Sequence, residues 1–419
     1  MEQRTYFCID MKAFYASVEC AERGLNPFET NLVVADASRG KGALCLAVSP
    51  KLKAQGVGGR CRLFEIPPYI KYIAAKPRMS KYIEYAADIY EVYLNYISKD
   101  DIHTYSIDES FIDATSYLRV YNLTPKEFAA KLVDEIAEKL HIPSTVGIGT
   151  NLYLAKIALD ITAKKSKEHM GYLNEPLYRA TLWEHKPITD FWQVAKGTAA
   201  RLARFGITDM KGVALAPEQL LYKTFGINAE LLIDHAWGRE SCTIADIKAY
   251  KTKSKSISNS QILLKDYSLE QASLVIQEMA LAGCQQMLRE GLVARSIWLG
   301  VGYSKEAHPP TGGSARMAEV TNIFSIVSGY VKELFEKTVI KNIPIRRLSI
   351  SFGNLCGQEC EGYDFFTDFK RIEKEKRCEQ AALYIKDKFG KNAMLRAMDL
   401  QADATARIRN TQIGGHNSE

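Results

Sequence analysis

Residues 105–110 read Tyr-Ser-Ile-Asp-Glu-Ser, and residues 9–15 read Ile-Asp-Met-Lys-Ala-Phe-Tyr. In both stretches an apolar, β-prone Ile precedes an acid, so each acid is expected where a short strand ends. Together they supply three carboxylates, Asp10, Asp108 and Glu109. An Asp-Glu pair on one strand end, facing an Asp on a neighbouring strand end, can hold two divalent metals close together. Oxygen ligands suit Mg²⁺, which keeps some waters and completes its shell from substrate phosphates. Acids at surface turns are the plain alternative, since an Asp-Glu pair is common by chance.

Working outward, residues 5–9 read as a strand, 14–23 as a helix and 31–35 as a second strand. Residues 38–66 are rich in Gly, Lys and Arg and read as a small inserted unit that approaches phosphate. Residues 82–98 carry apolar and aromatic side chains at helical spacing, and 102–105 and 110–114 read as strands around the acidic pair. Residues 124–140 read as a helix with Thr124-Pro125 as cap and first residue. Residues 145–149 read as a strand, followed by a Lys-rich helix from 151 to about 164. The order β-α-β, helix, β-β, α, β fits a ferredoxin-like palm with an insertion. Residues 171–240 read as predominantly helical and 241–252 as a linker. A second β-α-β-β-α-β unit follows, over 253–265, 268–290, 293–303, 315–324, 326–337 and 346–352. Pro309-Pro310 and Gly312-Gly313 separate its second and third strands. A charged helix over 369–388 belongs to the tail.

At 419 residues the chain is too long for one ordinary core and suggests about three packing units. Its 47% hydrophobic and 25% charged content is that of a soluble globular protein. No apolar run is long enough to span a bilayer, and the N-terminus lacks the stretch of a signal peptide, so a cytosolic enzyme without membrane association is expected. The nine cysteines are scattered with no Cys-x-x-Cys pair, which favours reduced, mostly buried thiols over a zinc site. Net charge is +6. From Lys248 onward there are 25 Lys and Arg against 19 Asp and Glu, while the first 247 residues hold 30 of each. The excess lies wholly in the last two-fifths, an electrostatic footprint for a phosphate backbone that a merely soluble face would also give.

Ile-Asp-Met-x-Ala-Phe-Tyr-Ala-Ser-Val-Glu at 9–19 resembles the first motif of Y-family translesion DNA polymerases. Ser-Ile-Asp-Glu-Ser-Phe-Ile-Asp at 106–113 resembles the third, and Val-Gly-Ile-Gly-x-Asn…Leu-Ala-Lys-Ile-Ala at 146–158 the stretch after it. The tail, Thr-Ala-Arg-x-Arg-Asn…Ile-Gly-Gly-His, is similar to the UmuC-like branch of Gram-positive bacteria and their mobile elements. The resemblance implies an α+β right hand without a proofreading exonuclease. Its parts would be a palm (1–35 and 78–170), fingers (36–77), a helical thumb (171–240), a linker (241–252), a little finger (253–355) and a clamp-binding tail (356–419). It implies two Mg²⁺ ions, replaceable by Mn²⁺, on Asp10, Asp108, Glu109 and the backbone carbonyl of Met11. Tyr15 matches the steric gate that clashes with a ribose 2′-hydroxyl, and Phe14 lies beside it at the nucleotide-sugar floor.

The resemblance also implies triphosphate contacts from Ser49, Lys53 and Lys164. The second motif is altered here to Ser49-Pro50-Lys51-Leu52-Lys53, and Pro50 stands where many relatives have Tyr. Lys12 replaces the usual Asp or Asn and adds a positive charge next to the metals. Primer-template DNA would be gripped by Lys196 and Gly197 in the thumb, and by Lys253, Lys255, Arg346 and Arg347 in the little finger. Two segments compete to bind a sliding clamp. Tyr363, Phe365 and Phe366 lie where UmuC-like chains carry a clamp peptide, with packing against the tail helix as the alternative. Gln261-Ile262-Leu263-Leu264 falls in a strand, where burial explains its apolar residues. Implied partners are thus DNA, dNTP, a clamp and an accessory protein, at work in the cytoplasm on the nucleoid.

The implied activity is error-prone, template-directed DNA synthesis past lesions. A DNA-binding accessory protein with a dead palm is a second possibility, disfavoured by the three intact carboxylates. A nucleotidyl cyclase with a two-metal palm is a third, disfavoured by the thumb-like and basic second units. Primer extension with Mg²⁺ and single dNTPs separates all three.

Overall fold

Alternation along the strand Tyr6–Met11 organises the first unit of the computed structural model, which describes residues 4–252, 255–304, 307–363 and 367–419. The five strands run in the order Ile102–Thr104, Glu109–Asp113, Tyr6–Met11, Ser144–Gly149, Met170–Leu173. Only the last pairing is parallel. This is the expected ferredoxin-like order with one added edge strand. Phe7, Ile9 and Met11 enter a core with Tyr82, Tyr93, Phe128 and Leu132 from the helices Met79–Leu94 and Pro125–Leu140. Tyr6 and Cys8 point the other way and meet Phe111, Leu152, Ala155 and Leu159. Both faces of the sheet are therefore covered, and Asp10, the next residue of the Tyr6–Cys8 face, is delivered to its end.

The helix Leu152–Ile157 lies almost on the sheet. A Cβ on Gly147 would sit 2.1 Å from the Ala155 carbonyl oxygen, and one on Gly149 2.1 Å from the Ala155 nitrogen. The helix is shorter than expected: it loosens into a π turn at Ala158–Thr162 and ends in the 3₁₀ turn Ala163–Lys165. The strand Leu32–Val34 departs further from expectation. It pairs with Ala47–Val48 and Ile73–Ala75 in a separate three-stranded sheet and not with the palm. Five helices between Glu175 and Trp237 form the expected helical region. The expected linker is partly structured, since the helix Ile244–Ala249 is capped by Thr243 and buries Ile244 against Tyr6 and Phe111.

The second unit, Lys251–Asn417, is a four-stranded antiparallel sheet in the order Thr311–Thr321, Leu292–Tyr303, Ile345–Gly353, Ile257–Tyr267. The helices Leu269–Arg289 and Phe324–Thr338 share one core with the sheet. The third strand begins at Thr311, four residues earlier than expected, so Gly312 and Gly313 are strand residues and not breakers. Gly312 pairs with Gly300 across the ladder, which holds these weak strand formers in place. The tail folds back on this unit, where buried Glu278 accepts from Thr405 N and Oγ1 at 2.9 Å and from Ala406 N at 3.1 Å. Among the described residues no helix is long and apolar enough to cross a membrane.

Candidate active site

Antiparallel register places Asp10 directly opposite Glu109. The Met11 amide donates to the Asp108 carbonyl at 2.9 Å, closing the end of the ladder. All three sequence-predicted acids thus lie at the same end of two neighbouring strands. Burial raises the Asp10 carboxyl to about 7, and the neighbouring charges of Asp108 and Glu109 add to the rise against the opposing pull of Lys164. Asp108 accepts from Ser106 Oγ at 2.7 Å. Glu109 is buried and turned inward: Lys156 Nζ lies 2.7 Å from Oε2, and the Cys8 thiol donates to Oε1 at 3.3 Å. Lys156 also pairs with Asp160 at 3.2 Å. Burial lowers the Lys156 pKa, but Cys8, Glu109 and Asp160 outweigh it and raise the group overall. Among the described residues no three His, Cys, Asp or Glu side chains converge as a finished metal shell. The donor chemistry nonetheless fits a hard divalent cation, because the acids are all oxygen donors, mutually repelling and partly desolvated.

The turn after Met11 places Ala13 in the left-handed region at φ 48°, and the helix Phe14–Ala21 starts at once. A non-glycine residue there costs about 1 kcal/mol or more, a strain typical of functional turns. Phe14 is buried in the core, and Tyr15 is half-buried. Burial first, then the charge of Asp108, raises the Tyr15 phenol above its ordinary value. Lys12 places Nζ 2.8 Å from His169 Nδ1; burial lowers its pKa, and the charge of Asp10 opposes that fall.

Of the residues expected to meet phosphate, two gather near Asp10. Burial lowers the Lys53 pKa, Asp10 opposes this, and Lys164 adds to it, so both lysines share the field of Asp10. Lys164 is tethered to Asp160 at 2.7 Å. Ser49 is a correction. It is fully buried, donates to the Thr30 carbonyl at 2.7 Å, and caps the helix Pro50–Ala54 by accepting from Leu52 N, so its hydroxyl is committed. In the helical region Lys196 and Gly197 open the helix Lys196–Ala203, and a Cβ on Gly197 would meet nothing within 4 Å.

In the second unit the outer sheet face is open and paved with short side chains. Register lines up Ser258, Ser351, Trp298 and Ser314 in one row, and Ser260, Ser349, Gly300 and Gly312 in the next. Ser258 and Ser351 are hydrogen-bonded at 2.7 Å, and Arg347 Nε donates to Ser260 Oγ at 3.1 Å. Trp298 is 46% exposed and lies across the glycines: a Cβ on Gly300 would sit 2.5 Å from its ring. Arg346 pairs with Asp266 at 3.7 Å, and Lys255 is exposed. Lys253 lies outside the described residues. The serine rows and Trp298 were not singled out from sequence, because only cross-strand register brings them together.

The clamp candidates divide differently from expectation. Tyr363 is engaged within its unit: its hydroxyl bonds Glu361 and Thr321, and its ring meets Phe369 edge-on at 5.9 Å. Phe365 and Phe366 lie outside the described residues. In the competing segment burial accounts for Leu263 alone, at 1% exposed, while Ile262 and Leu264 are 71% and 59% exposed. The strand is an edge strand with one packed face, so its residues alternate.

The sequence pattern of the impB/mucB/samB family matches residues 9–160, and that of the impB/mucB/samB family C-terminal domain matches residues 254–364. UvrX of Bacillus subtilis, whose name proposes a role in UV-damage repair, is 30% identical over 425 residues, covering 99% of this chain and 98% of its own. DNA polymerase IV 2 of the same organism is 30% identical over 427 residues, covering 99% of each chain. Among solved structures, a Y-family DNA polymerase chimera of Dbh and Dpo4 matches with a TM-score of 0.64 at 20% identity, over 84% of this chain and 98% of that one. That likeness gives the fold.

Proposed function

The chain belongs to the impB/mucB/samB family and is a Y-family DNA-directed DNA polymerase, and we propose that it extends primers across damaged template in an error-prone, two-metal reaction without proofreading. The observation that carries this is the pairing of Asp10 with Glu109 beside Asp108 at the covered end of a sheet, with Tyr15 on the helix that follows Asp10. Asp10, Asp108, Glu109 and the Met11 carbonyl would hold two Mg²⁺, or Mn²⁺ in their place. When bound, such ions supply charge stabilisation at the α-phosphate and at the departing pyrophosphate.

The protein's own groups do the rest. Phe14 and Tyr15 form the sugar floor, and the Tyr15 ring stands where a ribose 2′-hydroxyl would clash. Lys53 and Lys164 supply positive charge for the triphosphate. Lys156 and Cys8 hold Glu109 by its two oxygens, which sets the orientation from which it engages a cation. Exposed Lys196 and Gly197 offer a phosphate contact at a helix N-terminus. Lys255, Arg346 and Arg347 fit the phosphates of duplex DNA along the open face of the second unit. We assign the work to the cytoplasm, at the nucleoid, with an accessory protein as a further partner.

Primer extension with Mg²⁺ and each single dNTP tests the assignment, with an abasic site or a thymine dimer in the template to test bypass. Templated extension of wild type is the expected result; no extension, or nucleotide addition that ignores the template, would overturn it. A sliding clamp is the proposed partner of Phe365 and Phe366. Buried aromatic anchors typically contribute about 2 kcal/mol or more each. Phe365→Ala with Phe366→Ala is therefore expected to lose clamp pull-down while clamp-free synthesis persists.

A further inference from the structure

The ring behind Tyr15 is held by a buried polar anchor. Tyr15 and Tyr82 lie parallel, with centroids 4.5 Å apart and 19° between planes. Tyr82 is fully buried, and its hydroxyl donates to Glu19 Oε1 at 2.8 Å. Glu19 is fully buried too, one helical turn beyond Tyr15 on the helix Phe14–Ala21. Arg78 grips both its oxygens, Nε to Oε1 and Nη2 to Oε2, each at 3.0 Å. Arg23 donates to Oε2 from the other side. Burial pushes the Glu19 carboxyl up, but Arg78, Arg23 and Tyr82 outweigh it and hold it below the usual range. The acceptor is thus a carboxylate, and its hydrogen bonds are of the strong, charge-assisted kind.

Arg78 immediately precedes the helix Met79–Leu94, and Tyr82 is the fourth residue of that helix. The anchor therefore ties the helix that carries Tyr15 to the helix that backs it. A buried ion pair is poor evidence for added stability, whereas a bidentate one fixes geometry well. Exclusion by a clash works only if the wall does not yield, and the working tolerance of such sites is about half an ångström. Tyr15 is blocked from retreating by the Tyr82 ring, and Tyr82 is pinned through its hydroxyl.

We propose that Tyr82, Glu19 and Arg78 form a positioning device that sets how strictly Tyr15 excludes a ribose. This rests on the assignment of Tyr15 as the sugar gate. The test is single-nucleotide extension with dCTP and with CTP, read as the ratio of kcat/KM values, alongside a thermal melt. Tyr82→Leu is expected to lower the deoxy-over-ribo ratio roughly tenfold through loss of the backing ring, with dCTP incorporation changed far less. Tyr82→Phe and Glu19→Gln keep the packing and loosen the pin, so each is expected to lower the ratio by about two- to fivefold. Added to Tyr15→Ala, Tyr82→Leu should lower the ratio no further, because the gate it positions is gone.

An unchanged ratio in a folded Tyr82→Leu would overturn the proposal. So would additive lowering in the Tyr15→Ala background. If Tyr82→Leu does not fold, Tyr82→Phe and Glu19→Gln decide, and an unchanged ratio in both would overturn it. An unchanged ratio in Tyr15→Ala itself would instead defeat the gate assignment, and the anchor's role with it. Failure of wild type to extend any primer would defeat the polymerase assignment.

Discussion

In the first unit the sheet is covered on both faces, the Glu109–Lys156 pair is buried at its end, and the buried Glu19 is met by a partly exposed Arg78. In the second unit a sheet of the same β-α-β-β-α-β element order leaves one face open, and its polar groups are serines and arginines in cross-strand rows. The difference is one of dielectric. In the covered setting each charge–charge interaction is strengthened and each misplaced charge is costly, which suits chemistry on a phosphoryl group. On the open face charges are screened and short side chains admit a long polymer, which suits a grip whose strength follows counterion release. Chemistry and grip are thereby assigned to different units, and substitutions can be chosen to break that division.

The largest effect is expected at Asp108. Asp108→Ala should slow nucleotide addition roughly ten-thousandfold, the scale of removing one member of a cooperating catalytic set. Gel-shift affinity for primer-template should stay within about a factor of two, since the open face is untouched. If affinity collapsed together with rate, grip and chemistry would not be separate.

Next in size is sugar selection. Tyr15→Ala should raise ribonucleotide over deoxynucleotide incorporation by roughly a hundredfold, because a clash and not a hydrogen bond excludes the extra hydroxyl. Competition between CTP and dCTP measures it, and unchanged selection would remove Tyr15 from the role.

The acid constellation was readable in sequence because Ile-Asp at 9–10 and Ile-Asp-Glu at 107–109 mark strand ends, and antiparallel pairing then brings them together. Their partners were less readable. Lys156 on its Lys-rich helix reads as a palm salt bridge, but its partner Glu109 emerges only from the close packing allowed by Gly147 and Gly149. Leu32–Val34 fits a palm strand by pattern, and only its non-local partners assign it to another sheet. Ser49 fits a phosphate ligand by motif, but capping Pro50–Ala54 uses its hydroxyl. Gly312 and Gly313 look like punctuation because glycine disfavours strands, yet pairing with Gly300 and Leu299 overrides propensity, with Gly312 beneath Trp298 and Gly313 against Leu334 and Thr338.

On the open face the expected effects are smaller and of two kinds. Arg347→Ala should weaken DNA binding by roughly tenfold and lower the slope of log affinity against log salt by about one. Trp298→Ala should weaken binding by a comparable factor of roughly five to ten and leave the slope unchanged, because stacking neutralises no phosphate. Equal slope changes in both would mean that the tryptophan only supports a neighbouring cation.

The smallest effect is expected at Ile262, and it tests whether the second sheet truly has one wet face. Ile262 and Leu263 are adjacent in one edge strand, but they point to opposite faces, 71% and 1% exposed. Leu263 packs in the core with Val275, Leu348 and Ile350. Leu263→Ala should therefore cost about 2–4 kcal/mol of stability, from lost burial and the cavity left behind. Ile262→Thr keeps β-branching in a strand and removes apolar surface that already faces water, so it should change stability by no more than about 0.5 kcal/mol. Denaturant midpoints for the two variants measure the difference. Near-equal losses would mean that something covers Ile262 in solution, and the open face would then be an interface already in use. A neutral Ile262→Thr that also loses no DNA affinity would confine the grip to the Arg347 and Trp298 side of the sheet.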